Sequence, residues 1–346
     1  MNPADIAARA RAKATPGARI TDEAKPAPVT VSTDIPAGME GLKPLADMLK
    51  PFLNLNISEA KLKAMVDDAV SRFTPRPTEV TVTLPDGEQK NLGKVHKLVP
   101  TAIEWIRLQN IHHRGLYLVG PAGSFKTSGC KAVAEALDLP FYPLSVGPQT
   151  SKSDLVGFVD AHGKPVITAL RRAYSEGGLV LFDEMDAANA GVFTTINSLL
   201  ANGEYTWPDG VTTPRHENFR YIAAANTYGT GQNLLYIGRA AQDGATLDRF
   251  DQIEWGYDEE FEKYLVLNAA GQVNDSSQGV ALKWFTRVVE LRKAAERAHV
   301  KAIISPRASL SGAVMLAAGQ PLALVEKVAI SGRLKEDDWK RILEHV

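Results

Sequence analysis

Eight residues constrain this chain more than anything else in it: Gly120-Pro121-Ala122-Gly123-Ser124-Phe125-Lys126-Thr127. They follow directly on an apolar run, Leu116 to Val119, and lead directly into a helical pattern, Ser128 to Leu137. A strand that turns through small residues into a helix N-terminus gathers backbone N–H groups where the helix dipole favours an anion, so this segment is shaped to receive phosphate. Gly120, Pro121, Ala122, Gly123, Ser124 and Phe125 then form the cradle and Ser128 continues it into the helix. Lys126 reaches the terminal phosphates of a nucleotide, and Thr127 offers its hydroxyl to Mg2+. One position departs from the pattern: Phe125 stands where glycine is expected, and a bulky side chain there limits the backbone angles and is expected to crowd the phosphates.

A second motif, Leu179-Val180-Leu181-Phe182-Asp183-Glu184, is an apolar strand that ends in two carboxylates. An aspartate at the end of a neighbouring strand can hold Mg2+ through water, and a second carboxylate in the cleft can polarise an attacking water. Asp183 takes the metal role and Glu184 that of the base. Asp186 reads as no more than a helix cap.

Between and beyond these motifs, short apolar runs alternate with helical patterns. The runs are Leu116 to Val119, Phe141 to Val146, Leu179 to Phe182, Tyr221 to Ala225 and Gln252 to Trp255. The alternation predicts a mostly parallel sheet covered on both faces, with ligands at the carboxyl ends of its strands. Beyond Asp258 helical periodicity dominates. Four parts follow: 1–40, 41–94, 95–257 and 258–346. The first contains no Leu, Phe, Tyr or Trp, carries five prolines, and is expected to be a disordered tail. The second combines helical spacing over roughly 42 to 73 with an alternating run, Glu79 to Leu84, that meets the turn signal Pro85-Asp86-Gly87 and predicts a hairpin.

Taken together, these residues resemble an AAA+ ATPase, and within that superfamily they are similar to the MoxR branch, particularly the CobS-like cobaltochelatase ATPases. The resemblance spans about 95 to 310 and implies an α/β P-loop NTPase sandwich followed by a small helical lid. Arg220 to Thr227 resembles the sensor-one strand, where Asn226 would help orient the water. Tyr228-Gly229-Thr230-Gly231 with Leu235-Tyr236-Ile237-Gly238 resembles a stretch of the CobS-like group. Ala245 to Phe250 looks like the segment that carries an arginine finger, here Arg249. Ser305-Pro306-Arg307-Ala308 resembles the sensor-two segment, and Ser305 as N-cap with Pro306 at the first helical position would fix Arg307 in the opening turn of a helix. The resemblance further implies a hairpin inserted at Asp154 to Ile167 and a second insertion at Tyr205 to Asn218. It implies ATP and Mg2+ as cofactors, a homo-oligomeric ring, a hexamer, and a client protein such as one with a von Willebrand factor A domain.

Charge and cysteine usage narrow the alternatives. Lys plus Arg number 39 against 40 Asp plus Glu, a net charge of -1, which disfavours a nucleic-acid motor. The absence of long apolar runs and of a leader pattern leads to the expectation of a cytoplasmic protein without a membrane span. The lone Cys130 forms no intrachain disulfide and reads as core. A nucleotide-locked scaffold, with Phe125 permitting binding but impairing hydrolysis, is the rival to an enzyme. Retention of Glu184, Asn226 and Arg249 together argues for the enzyme.

Overall fold

The computed structural model describes residues 78–83, 89–229, 231, 236, 239 and 241–346. The expected tail, the helical element over 42 to 73 and the Pro85-Asp86-Gly87 turn lie outside the described residues. The expected hairpin arms are present as the antiparallel pair β1 (Thr78–Thr83) and β2 (Gln89–Val95). Helix α1 (Val99–Arg107) and a single turn, α2 (Gln109–His112), lead to β3 (Gly115–Val119). There follow α3 (Lys126–Ala136), β4 (Phe141–Ser145), α4 (Lys152–Val156), β5 (Phe158–Val159), β6 (Pro165–Val166), α5 (Ala169–Glu176) and β7 (Gly178–Asp183). After a 3-10 turn at Met185–Ala187 come α6 (Ala190–Ala201), β8 (Glu204–Thr206), β9 (Thr212–Pro214), β10 (Phe219–Ala225), α7 (Gly244–Leu247) and β11 (Phe250–Glu254). The chain closes with α8 (Glu259–Val273), α9 (Gln278–Arg297), α10 (Pro306–Ala317), α11 (Leu322–Ala329) and α12 (Glu336–Leu343).

Five strands make one parallel sheet in the order β11-β3-β10-β7-β4. The order follows from composition. The runs in β3, β7 and β10 are buried at almost every position, which only a strand covered on both faces allows, and these three are central. Pro143 in β4 and the acidic residues Asp251 and Glu254 in β11 are tolerated because both strands lie at edges. Alternate residues of each strand feed two cores. Leu116, Leu118, Leu179, Leu181 and Ile222 pack with α1, α3 and Trp255 on one face. Tyr117, Val119, Val180 and Phe182 pack with α5 and α6 on the other. This is the αβα sandwich of AAA+ P-loop NTPases.

The helices after Asp258 hold a third core of their own around Trp284, Val288, Leu291 and Ile304. Gly312 lets α10 close on the Trp284 indole, whose Nε1 donates to the carbonyls of Ala308 and Ser309 at 3.1 Å. Both insertions expected from the resemblance are hairpins: β5–β6 emerges between α4 and α5, and β8–β9 precedes β10. Among the described residues no helix is long and apolar enough to cross a membrane.

Candidate functional site

The carboxyl ends of β3, β7 and β10 converge on the loop between β3 and α3, and every strand-borne residue singled out by sequence sits there except Arg249. The loop turns as a phosphate cradle must. Gly123 has φ +79° and a Cβ there would lie 3.1 Å from that of Ser305. Phe125 has φ 64°, ψ 25°, the left-handed conformation for which glycine is the usual residue. The expectation that Phe125 crowds the phosphates is corrected by where its ring goes: it meets Phe261 of α8 edge-on, centroids 5.2 Å apart. Helix α3 starts at Lys126, two residues earlier than periodicity indicated, because polar residues at a helix N-terminus carry no apolar period.

Lys126 is buried, and its Nζ donates to the carbonyls of Gly120 at 2.7 Å and Pro121 at 3.0 Å and to Asn226 Oδ1 at 3.1 Å. Burial lowers its pKa to about 8, against the opposing pull of Asp183 and Asp186. Thr127 Oγ1 donates to Asp183 Oδ2 at 2.8 Å, so the two residues expected at the metal already touch. One hydroxyl and one carboxylate form a donor set that suits Mg2+, a hard cation that retains most of its water ligands. Glu184 follows in the left-handed region, φ 57°, and its N–H donates to Asp183 Oδ1 at 3.0 Å. Ser128 Oγ closes the first helical turn on the Phe125 carbonyl at 3.0 Å.

Asp186 is not a helix cap. Its side chain turns inward, fully buried, and Oδ2 accepts from Asn226 N at 3.1 Å, Thr227 N at 3.0 Å and Thr227 Oγ1 at 2.9 Å. The cap of α6 is Asn189. Sequence reasoning missed Asp186 because its partners lie some forty residues later in the chain. It also missed Arg239, whose Nη1 stands between Asp186 and Glu184. Two tyrosines finish the loop: the Tyr236 hydroxyl accepts from Ala122 N and the Tyr257 hydroxyl donates to Ala122 O, each at 3.1 Å. Burial pushes the Tyr257 phenol up to about 12.

The helical region borders the loop through the opening turn of α10, where Arg307 is exposed and its Cγ would lie 3.7 Å from a Cβ on Gly123. Ser305 holds the N-cap position as expected, but its hydroxyl makes no cap bond; its carbonyl accepts from Ala308 N at 2.9 Å instead. A cavity of about 240 Å³ opens beside the first turn of α3, lined in part by Val95, His96, Ser128, Gly129, Ala132 and Phe261. His96 stacks on Trp255 at 4.4 Å, and desolvation holds its imidazole below the usual range. Its Nδ1 accepts from Leu98 N, so its Nε2 carries the proton donated to Gly256 O.

Arg249 lies elsewhere. Its carbonyl accepts from Gly115 N at 2.8 Å, which puts it at the amino end of β3, about 17 Å of strand from Gly120. Its guanidinium donates to the Ala245 carbonyl at 2.7 Å, and Asp248 pairs instead with Arg114.

The fold is that of the AAA+ P-loop NTPases, with the loop between β3 and α3 at the carboxyl ends of its strands. Residues 115–250 match the family model described as the AAA domain of the dynein-related subfamily. The chain is similar over a short stretch to Lon protease homologs: 39% identical over 80 residues to the mitochondrial proteins of Emericella nidulans and Aspergillus fumigatus, 22% of this chain and 7% of theirs. The Lon protease of Mycoplasma mobile is 37% identical over 75 residues, 20% of this chain and 9% of that protein. The chain therefore spans less than a tenth of the length of these relatives. In fold it is similar to two crystal structures of NtrX from Brucella abortus, one (TM-score 0.45, 16% identity, 84% of this chain and 62% of that chain) and a second in complex with ATP (0.46, 15%, 82% and 65%).

Proposed function

We propose that this protein is a Mg-dependent ATPase that works as a ring, a hexamer, and uses hydrolysis to remodel or activate a protein client. The observation that carries the reading is the meeting of Thr127 with Asp183 beside Lys126 and Glu184. Those groups offer a hydroxyl and a carboxylate for Mg2+, a cation for the terminal phosphates and a carboxylate able to take a proton from water. Asn226 and Arg307 border the same loop, and the cavity at His96 and Phe261 offers a partly apolar space for the base. The finer assignment to the MoxR branch, CobS-like, rests on the residues quoted above, and with it the expectation of a von Willebrand factor A domain client. The scaffold reading loses its main support, because Phe125 is directed to Phe261 and the loop keeps its left-handed turn.

The test compares steady-state ATP turnover and MgATP affinity. Lys126→Ala should abolish tight binding in calorimetry, and Glu184→Gln should bind normally while turning over about a hundredfold more slowly or worse. Unchanged affinity in the first, or equal turnover in the second, would remove the corresponding residue from the site.

A further inference from the structure

Arg239 joins two carboxylates of unlike surroundings. Its Nη1 is 3.2 Å from Asp186 Oδ1 and 3.7 Å from Glu184 Oε2, and the same nitrogen faces both. The Asp186 side chain is fully buried, that of Arg239 is 14% exposed and that of Glu184 is 56% exposed. Asp186 Oδ2 is committed to the backbone and hydroxyl donors of Asn226 and Thr227, while Oδ1 has no hydrogen-bond partner among the described residues and faces the guanidinium. A buried carboxylate needs a compensating charge, so Asp186 anchors Arg239. The same nitrogen also reaches Glu184, whose N–H is bonded to Asp183 and whose side chain is more than half exposed.

We propose that Arg239 is a positioning residue for Glu184: anchored through Asp186 to the end of β10, it holds the Glu184 carboxylate in register with Asn226 and Lys126. A path of direct contacts then runs from Lys126 to the Asn226 side chain, from the Asn226 N–H to Asp186, and from Asp186 through Arg239 to Glu184. A carboxylate released from this arrangement samples many rotamers, few of them aimed at an attacking water, and misplacement on that scale costs turnover without weakening nucleotide binding.

The inference rests on Glu184 being the base, and its test separates the two. In the full-length protein, Arg239→Ala should lower kcat by about tenfold to a hundredfold and leave MgATP affinity by calorimetry within about twofold. Arg239→Lys should retain most of the turnover, because one ammonium can replace the single nitrogen that faces both carboxylates. In a Glu184→Gln background, Arg239→Ala should cost less than about twofold more, since a group that acts through Glu184 has nothing left to position. Should Arg239→Ala melt at lower temperature because Asp186 is left unpaired, Arg239→Ala with Asp186→Asn removes the stranded charge and should show the same loss of kcat. Unchanged or faster turnover in Arg239→Ala, or a full multiplicative loss in the Glu184→Gln background, overturns the proposal. Equal turnover by wild type and Glu184→Gln instead overturns the reading of Glu184, and the role of Arg239 with it.

Discussion

Lys126 carries its proton where burial opposes it. The folded protein releases that proton near pH 8 and the unfolded chain near 10.5. Below pH 8 both states are charged and the folded state bears the whole penalty. From pH 8 to 10.5 the unfolded chain binds more protons, so this residue's contribution to stability rises with pH until both states are neutral. Binding runs the other way, because the phosphates select the charged form. MgATP affinity should therefore fall as pH rises above about 8, reaching about tenfold weaker at pH 9 than at pH 7. Calorimetry across that range checks it. At this scale the sequence is legible where a motif encodes a contact. Spacing singles out Lys126, Thr127, Asp183 and Glu184, and the fold brings Thr127 against Asp183. Asp186 and Arg239 are not legible, since a buried ion pair between distant segments leaves no local period or turn signal.

Among the elements, the junction of α3 with α8 is the unusual one. Phe125 bears a left-handed backbone, a strain of about 1 to 2 kcal/mol for a residue with a Cβ, and offsets part of it with the Phe261 ring contact, worth about 0.5 to 1.5 kcal/mol. Two substitutions split these effects. Phe125→Gly removes strain and contact together and should change stability by less than about 1 kcal/mol. Phe125→Ala keeps the strain but loses the contact, and should be the less stable of the two by about 1 kcal/mol. Chemical denaturation of both proteins measures the difference, and an alanine variant at least as stable as the glycine variant would contradict this account. The five sheet strands were readable from apolar runs, each within two residues of its ends. The turn α2 and the lid's contact with the loop were not, because four residues hold no period and a ring-on-ring contact across 136 positions leaves no mark on either segment.

For the molecule as a whole, the separation of Arg249 from the phosphate loop decides how a finger can work. At the amino end of β3 it cannot serve its own loop, so the ring reading requires it to serve a neighbour's. An Arg249→Ala subunit should bind MgATP yet fail to activate the next subunit, a loss of roughly a thousandfold or more. Co-assembly with Lys126→Ala subunits, which keep the finger, should restore part of the activity wherever an intact finger faces an intact loop. Verified mixed rings without recovery at any ratio would dispose of the trans assignment. The loop itself is tied to the sheet edge beside β3 by Trp255, the residue after β11. Its indole Nε1 donates to Ser124 O at 2.9 Å, a Cβ on Gly120 would lie 1.9 Å from its carbonyl oxygen, and a Cβ on Gly129 would lie 2.5 Å from its ring. For a lineage drifting under mutation, Gly129 and Trp255 are thus a single locus in two places. A methyl group at 129 is tolerated only after the indole has shrunk, and the smaller residue at 255 leaves a void until 129 has grown. Neither step is neutral alone, so descendants should carry both ancestral residues or neither.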